Sequence, residues 1–177
     1  HQGQTEPDLL IYPGQIPELR TISLEEDRLH IGAMVTMQEL TDALQSVPEL
    51  CAISDAASKV GTPQIRSKAT MAGNLCNASP AGDMLPVGRL YDLKLEVLSK
   101  DGAVILFPME QFILGPRKNI LQTGQAVVGM VIDRRRWAGY ISGFRKIGFR
   151  EHVSIAREGM GALVKCSPDG VIEDARL

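Results

Sequence analysis

Small and hydrogen-bonding side chains are concentrated in residues 70–83, which read TMAGNLCNASPAGD. Small residues allow a backbone to approach a ligand closely, and successive amide N–H groups in a tight loop form a concave site for a pyrophosphate. Additional hydrogen-bond donors can come from the side chains of Thr70, Asn74, Asn77 and Ser79. The pattern predicts a tight loop over residues 70–74 with at least two amide groups pointing into one cleft. A simple connection between two elements is the alternative.

The end of this segment has the pattern of a helix start. Ser79 followed by Pro80 is typical of a capping residue and the first helical position, which predicts that the positive end of the next helix faces the same anion. Asp83 is unsuited to a phosphate. Its carboxylate suits a hydrogen-bond donor of a ribose or an adenine, or the amino end of that helix. The segment lacks the glycine spacing of a Rossmann site and of a P-loop, which disfavours both folds.

Composition limits the possible functions. The 177 residues are 44% hydrophobic and 23% charged with a net charge of -2, so the chain can form one domain and part of a second but has no overall field that attracts nucleic acid. No apolar run approaches the roughly 20 residues that span a bilayer, and the first residues do not resemble a signal peptide. We therefore expect a cytoplasmic protein without a membrane span or a nucleic-acid partner.

Catalytic and metal-binding motifs are missing from the sequence. Cys51, Cys76 and Cys166 are odd in number and far apart, which favours reduced and mostly buried thiols over a disulfide framework. The three histidines have no metal-ligand spacing, and no catalytic triad or paired-carboxylate motif is present. We therefore expect neither a metal site nor a catalytic acid, base or nucleophile in this chain.

Hydrophobic patterns predict an α+β chain. Thr36 and Glu39 have the spacing of a capping box that begins a first helix, and Pro48 can begin a second one. Arg134–Trp137 interrupts the apolar pattern and is interpreted as a solvated linker. The predicted strands and strand pairs are residues 8–12, the hairpin 20–24 and 28–32, the hairpin 93–98 and 104–107, strand 126–132, and a meander over 139–147, 159–166 and 171–172. A further short helix is predicted over residues 83–91.

This organisation predicts two units, residues 1–137 and residues 138–177. The second unit is a strand meander that stops abruptly, and a lone meander rarely forms a stable structure by itself. We therefore expect it to expose an apolar face and an unpaired edge, which further chain or partner subunits must cover.

Residues 65–74 and 78–83 resemble the T-x-G-G-N and A-S-P-x-x-D signature of the FAD-binding medium subunits of molybdenum hydroxylases, such as carbon monoxide dehydrogenase and xanthine dehydrogenase. Residues 16–19, 30–36 and 112–118 also resemble sequences of this family. Residues 144–150 resemble the segment with which the family's carboxy-terminal domain begins. The resemblance implies an FAD-binding domain of the PCMH/vanillyl-alcohol-oxidase-like type. The start of a carbon monoxide dehydrogenase flavoprotein-type C-terminal domain would follow it, with a boundary near residue 137.

The resemblance also implies which residues contact FAD. The pyrophosphate loop falls on Thr70, Ala72, Gly73 and Asn74, two further contacts fall on Asn77 and Asp83, and either Lys146 or Arg145 lies near the flavin.

Two departures from the family pattern matter. Ala72 replaces the first glycine of the family's pair, which requires a negative φ and a methyl group that clears the phosphate. The family's other glycine-rich phosphate loop has no counterpart in residues 1–7.

The implied function is electron transfer. Substrate would be oxidised at molybdenum on a large subunit, electrons would cross iron-sulfur clusters on a small subunit, and FAD on this chain would pass them to NAD or another acceptor. The alternative is a flavin-free scaffold or docking module of such a complex, which the two departures favour.

Overall fold

The computed structural model describes residues 9–149 and 154–177. Within these ranges the helices are α1 (Met37–Leu44), α2 (Cys51–Ser58), α3 (Pro63–Arg66), α4 (Met71–Asn77), α5 (Met84–Leu90) and α6 (Met109–Phe112), with 3-10 turns at Pro17–Arg20, Pro48–Leu50 and Arg134–Trp137. The strands are β1 (Ile22–Leu24), β2 (Arg28–Gly32), β3 (Lys94–Leu98), β4 (Val104–Pro108), β5 (Ile113–Gly115), β6 (Lys118–Asn119), β7 (Ala126–Asp133), β8 (Tyr140–Gly148), β9 (Ala156–Cys166) and β10 (Ile172–Arg176).

Antiparallel pairing organises these strands into sheets. In the described part of the chain, β1-β2-β7-β3-β4 form a five-stranded sheet, β10-β9-β8 a three-stranded sheet, and β5-β6 a small hairpin. One face of the larger sheet carries buried residues such as Leu29, Leu95 and Met130, which join the side chains of the helices in one hydrophobic core. The predicted α+β class is confirmed.

Both predicted hairpins form where charged or glycine-containing turns separate alternating apolar residues. Ile22 pairs with Ile31 across the first hairpin, and Val97 pairs with Ile105 across the second. Gly102 supplies the positive φ of 85° that the second turn needs. Arg28–Gly32 alternates exposed and buried side chains because successive residues of a strand point to opposite faces.

The first two predicted helices also form. The Thr36 side chain accepts the Glu39 backbone N–H, and the Glu39 side chain accepts the Thr36 N–H, which completes the predicted capping box of α1. Pro48 begins a 3-10 turn that leads directly into α2. Both helices bury their apolar faces, as Leu40, Leu44 and Ile53 show.

The predicted strand over residues 8–12 is wrong for its described part, residues 9–12. These residues adopt no regular structure, and the Leu10 and Ile11 side chains are largely exposed. No described strand pairs with them, so their backbone lacks the hydrogen-bonding partner that an isolated apolar run requires to become a strand.

The interpretation of Arg134–Trp137 as a solvated linker holds only for Arg135 and Arg136, which are exposed. Trp137 is buried and lies edge-to-face against Tyr91 and Tyr140, at centroid distances of 6.1 and 5.8 Å. Arg134 forms a 2.6 Å ion pair with Glu49, and both side chains are mostly buried. The segment therefore packs against the core instead of separating two independent bodies.

The three-stranded sheet packs one face against the helices. Phe144 of β8 and Leu163 of β9 belong to the hydrophobic core, and the Phe144 backbone N–H donates to Asp55 of α2 at 3.1 Å. Ser142 donates to the Pro48 carbonyl at 3.1 Å. The opposite face exposes apolar side chains, in keeping with the predicted exposed face, and they are Ile141, Ile147, Met160 and Ile172.

Candidate functional site

The predicted tight loop over residues 70–74 is wrong, because α4 begins at Met71 and contains Gly73 and Asn74. Thr70 is the capping residue, and its side-chain oxygen accepts the Gly73 N–H at 3.0 Å. The small residues that favoured a loop are compatible with a short helix once a threonine caps its first turn. The site for an anion is therefore a helix amino end.

The amino end of α4 is fixed against the start of α1. Thr36 and Thr70 form an isolated antiparallel bridge, and the Met37 N–H donates to the Ala69 carbonyl at 2.8 Å. The first turn of a helix has N–H groups without acceptors inside the helix, and the helix dipole makes that end positive. No acidic side chain occupies the first turn of α4. This end is consequently suited to a phosphate group.

Ala72 does not obstruct that site. Its side chain is buried at 4% exposure within the hydrophobic core, and it has an ordinary negative helical φ. The methyl group therefore points away from any ligand at the amino end of α4. The negative φ that alanine requires in place of the family's glycine is present, and clearance of the phosphate by the methyl group stays a prediction.

We predict that Ala72→Gly lowers the free energy of unfolding by ~1 kcal/mol, because glycine is a poorer helix former than alanine. The loss of a buried methyl group adds to this effect. Denaturant unfolding measures the change, and FAD affinity should stay at the wild-type value. Tighter FAD binding by the glycine variant would show that the Ala72 methyl group obstructs the cofactor.

Asn74 connects α4 to the loop that precedes α5. Its side-chain Oδ1 accepts the Met84 N–H at 3.4 Å, and a side chain at Gly82 would approach the same oxygen to 3.0 Å. Ser79 and Pro80 do not begin a helix, contrary to the prediction. They form a turn in which the Gly82 N–H donates to the Ser79 carbonyl at 2.8 Å, and α5 begins only at Met84.

Asp83 and Lys146 form a buried ion pair between the loop and β8. The Lys146 Nζ lies 2.7 Å from the Asp83 Oδ2, with side-chain exposures of 10% and 8%. Lys146 also donates to the Lys59 carbonyl at 3.2 Å. Burial raises the pKa of the Asp83 carboxyl above its ordinary value, although the hydrogen bond and charge of Lys146 act in the opposite direction. The second carboxylate oxygen, Oδ1, is buried without a hydrogen-bond partner among the described residues.

The two basic candidates on β8 lie on opposite faces of the strand. Lys146 is on the inner face and reaches Asp83, whereas Arg145 is exposed on the opposite face because strand side chains alternate. Asn77 lies one turn after Asn74 on α4 and is exposed. A continuous set of contacts through α4 and the loop thus links Thr70, Asn74, Asp83 and Lys146.

Sequence reasoning missed the support at the far end of α4. Ala78 ends the helix with a left-handed φ of 46°, and its carbonyl accepts the Arg117 N–H at 2.8 Å. Asn119 donates to the Cys76 carbonyl at 2.7 Å. The β5-β6 hairpin therefore holds the carboxyl end of α4. Residues 112–118 matched the family pattern, but nothing in their types indicated this contact.

The other polar candidates lie outside this site. His30 pairs with Glu96 at 3.0 Å on the larger sheet, while His1 and His152 lie outside the described residues. The cysteines Cys51, Cys76 and Cys166 are free; the first two are partly buried and Cys166 is exposed, so the expectation of mostly buried thiols is only partly met. Among the described residues, no group of three or more potential ligands is placed to hold a metal ion.

The residues fit a cofactor that combines phosphate groups with hydroxyl or N–H donors. The amino end of α4 suits a phosphate, and the unpartnered Asp83 Oδ1 suits a donor group, because buried polar atoms normally have hydrogen-bond partners. Such an arrangement on an antiparallel α+β scaffold defines a cofactor-binding domain outside the Rossmann and P-loop classes.

Comparison with known proteins identifies the family. Residues 1–132 match the model of the FAD binding domain in molybdopterin dehydrogenase. The chain is 32% identical to the nicotinate dehydrogenase FAD-subunit of Eubacterium barkeri, over 94% of this chain and 56% of that protein. It is 34% identical to the xanthine dehydrogenase FAD-binding subunit of Escherichia coli O157:H7, over 83% and 50%. The chain belongs to this family of FAD-binding domains, and its cofactor is FAD.

Solved structures share the fold. A carbon monoxide dehydrogenase chain from Hydrogenophaga pseudoflava superposes with a TM-score of 0.80 at 23% identity, covering 92% of this chain and 55% of that one. Quinoline 2-oxidoreductase from Pseudomonas putida 86 gives a TM-score of 0.78 at 21% identity, covering 91% and 54%. The chain thus spans about half the length of the relatives it matches. In its described ranges, each helix is too short or too polar to cross a bilayer.

Proposed function

We propose that this chain holds FAD at the amino end of α4 and along the loop that ends at Asp83. The pyrophosphate lies at the first turn of α4 next to Ala72 and Gly73, where Thr70 caps the helix and accepts the Gly73 N–H. Asn74 and Asn77 contribute side-chain donors from one face of α4. The observation that carries the proposal is the buried, unpartnered Oδ1 of Asp83, which requires a donor that a ribose, ribitol or flavin group can supply.

Lys146 is proposed to act next to the flavin. Its charge is held in a mostly buried position by Asp83 and the Lys59 carbonyl, and a cation has a larger effect where water is excluded. FAD supplies the redox chemistry when it is bound. The residues of this chain bind it, orient it and limit its access to water.

The activity proposed for the whole protein is that of a molybdenum-dependent dehydrogenase. In that complex, an iron-sulfur small subunit delivers electrons that originate on a molybdenum-cofactor large subunit, and the FAD on this chain passes them to NAD or another acceptor. The FAD subunits of nicotinate and xanthine dehydrogenase among the relatives support this proposal. Residues 1–137 are proposed as the FAD-binding domain and residues 138–177 as the start of the next domain, in a cytoplasmic protein.

We predict that the 177-residue chain binds FAD weakly and that a version extended at both ends binds it tightly. Binding buries the negative charge of the pyrophosphate, and buried charge without enough hydrogen-bond donors costs several kcal/mol of binding free energy. Fluorescence titration of both proteins with FAD measures the difference. Tight and equal binding by the two would show that residues 70–83 suffice.

The colour of the extended protein separates the proposal from a flavin-free scaffold. Ala72 no longer favours the scaffold, because its methyl group lies in the core. An extended protein that is yellow after purification supports FAD binding. A colourless extended protein that still assembles with its partner subunits supports the scaffold.

A further inference from the structure

Helix α5 is attached to the three-stranded sheet at both of its ends by ion pairs. Before its amino end, Asp83 contacts Lys146 of β8. After its carboxyl end, Asp92 contacts Arg176 of β10 through two nitrogen–oxygen pairs at 2.7 and 2.5 Å, and Arg136 at 2.7 Å.

The two attachments lie at different places on the three-stranded sheet. Asp83 immediately precedes α5, and Asp92 follows its last residue by two positions. Lys146 of β8 pairs with Gly159 and Arg176 of β10 pairs with Leu163, so the two cations lie on opposite sides of β9 and at different positions along it. The two ion pairs therefore hold α5 to the sheet at two separate points.

Glycines allow the helix to lie close to the sheet between these two attachments. A side chain at Gly161 would approach Leu90 to 2.9 Å, and one at Gly159 would approach Phe144 to 3.2 Å and Pro86 to 3.7 Å. Larger side chains at these two positions would push the helix away from the sheet, because protein interiors are tightly packed.

The attachment at Asp92 is well defined. Asp92 has a left-handed φ of 50°, and Arg176 also donates to the Arg89 carbonyl at 3.1 Å, while its guanidinium lies 5.3 Å from the Trp137 ring. The hydrogen bond from Arg176, together with the charges of Arg176 and Arg136, lowers the pKa of Asp92 below its ordinary value, so it is ionised at neutral pH. A two-bond contact between a guanidinium and a carboxylate fixes direction as well as distance.

We infer that Asp92, acting through Arg176, is a positioning residue that fixes the three-stranded sheet along α5 and thereby holds Lys146 against Asp83. Asp92 does not contact the proposed cofactor site itself. Its effect on FAD rests on the proposed function, since it operates through Lys146.

The direct test measures the reactivity of Lys146 in Asp92→Asn and Arg176→Met. Lysine acylation followed by mass spectrometry should show a roughly fivefold increase at Lys146, because the local opening that exposes it becomes more frequent. Glu110→Gln is the matched control, since Glu110 pairs with Arg89 of the same helix through an exposed contact. Reactivity of the Cys76 thiol, which lies in α4, reports any general loosening. Unchanged Lys146 reactivity in both variants, or an equal increase at Cys76, would overturn the inference.

FAD affinity provides the second test, in a version extended at both ends. Asp92→Asn should weaken FAD binding about tenfold, equivalent to ~1.4 kcal/mol. The effect should disappear in a Lys146→Met background if Asp92 acts through Lys146. An equal effect in both backgrounds would overturn the inference. If the wild-type protein binds no FAD, the proposed function fails, and Lys146 reactivity alone decides on the positioning role of Asp92.

Discussion

Lys146→Met is expected to lower the free energy of unfolding by ~3–5 kcal/mol at neutral pH, because it leaves the Asp83 carboxylate buried without its counter-charge. Methionine keeps much of the length of the lysine side chain, so the change removes charge more than volume. Denaturant unfolding measures the loss. Arg145→Met, at the neighbouring exposed position, is the matched control and should change stability by less than ~0.5 kcal/mol.

The loss should depend on pH in a defined direction. The pKa of Asp83 is raised in the folded chain, which means that the neutral carboxyl is the form that favours folding. This contribution to stability is fully present below the ordinary pKa of 3.8. It is lost as the pH rises through the raised pKa. The Lys146→Met deficit should therefore shrink in acid, where Asp83 is neutral. The Asp83→Asn/Lys146→Met double variant should recover much of the lost stability at neutral pH. A deficit below ~1 kcal/mol that is independent of pH would show that the pair does not matter to the fold.

Asn74→Ala is expected to weaken FAD binding by ~1.5–3 kcal/mol in a version extended at both ends, because a hydrogen bond to a charged group is lost. That corresponds to roughly a tenfold to hundredfold higher dissociation constant by titration. Asn74 also accepts the Met84 N–H, so this variant alone does not separate cofactor contact from support of the loop.

Asn74→Asp makes that separation. A carboxylate can still accept the Met84 N–H, but it has no N–H donor and adds a negative charge where a pyrophosphate is expected. The fold should survive while FAD binding is lost more completely than in Asn74→Ala. Wild-type affinity in the aspartate variant would show that Asn74 contacts no phosphate and serves only to support α5.

The parts of the fold that depend on local sequence were predictable. The hairpin whose turn contains Gly102 needs only a turn residue between two apolar patterns, and the helix that begins at the capping box of Thr36 and Glu39 needs only a cap before one. The prediction of a strand over residues 8–12 is wrong for residues 9–12 because an apolar run becomes a strand only when another strand pairs with it. Local composition carries no information about that partner.

The sequence selects the residues of the candidate site, whose contacts with FAD stay a prediction, but it does not specify their geometry. Residues 70–83 were identified from their composition and family resemblance, yet the small side chains suggested a loop where Thr70 in fact caps a helix. The ion pair of Asp83 and Lys146 joins positions 63 residues apart, and that of Asp92 and Arg176 joins positions 84 apart. No local pattern specifies such contacts, because they are set by how the three-stranded sheet packs on α5.

The burial of Trp137 bears on how the chain folds. Residue 137 is where the sequence suggests that one unit ends, but its ring lies between Tyr91 of the first unit and Tyr140 of the second, and the core continues into Leu163. A domain that folds alone has its own core, whereas here one core is shared across the boundary. Residues 9–149 and 154–177 should therefore unfold in a single cooperative transition. Cleavage after residue 137 would divide this core, so that each of the two pieces would have only part of it.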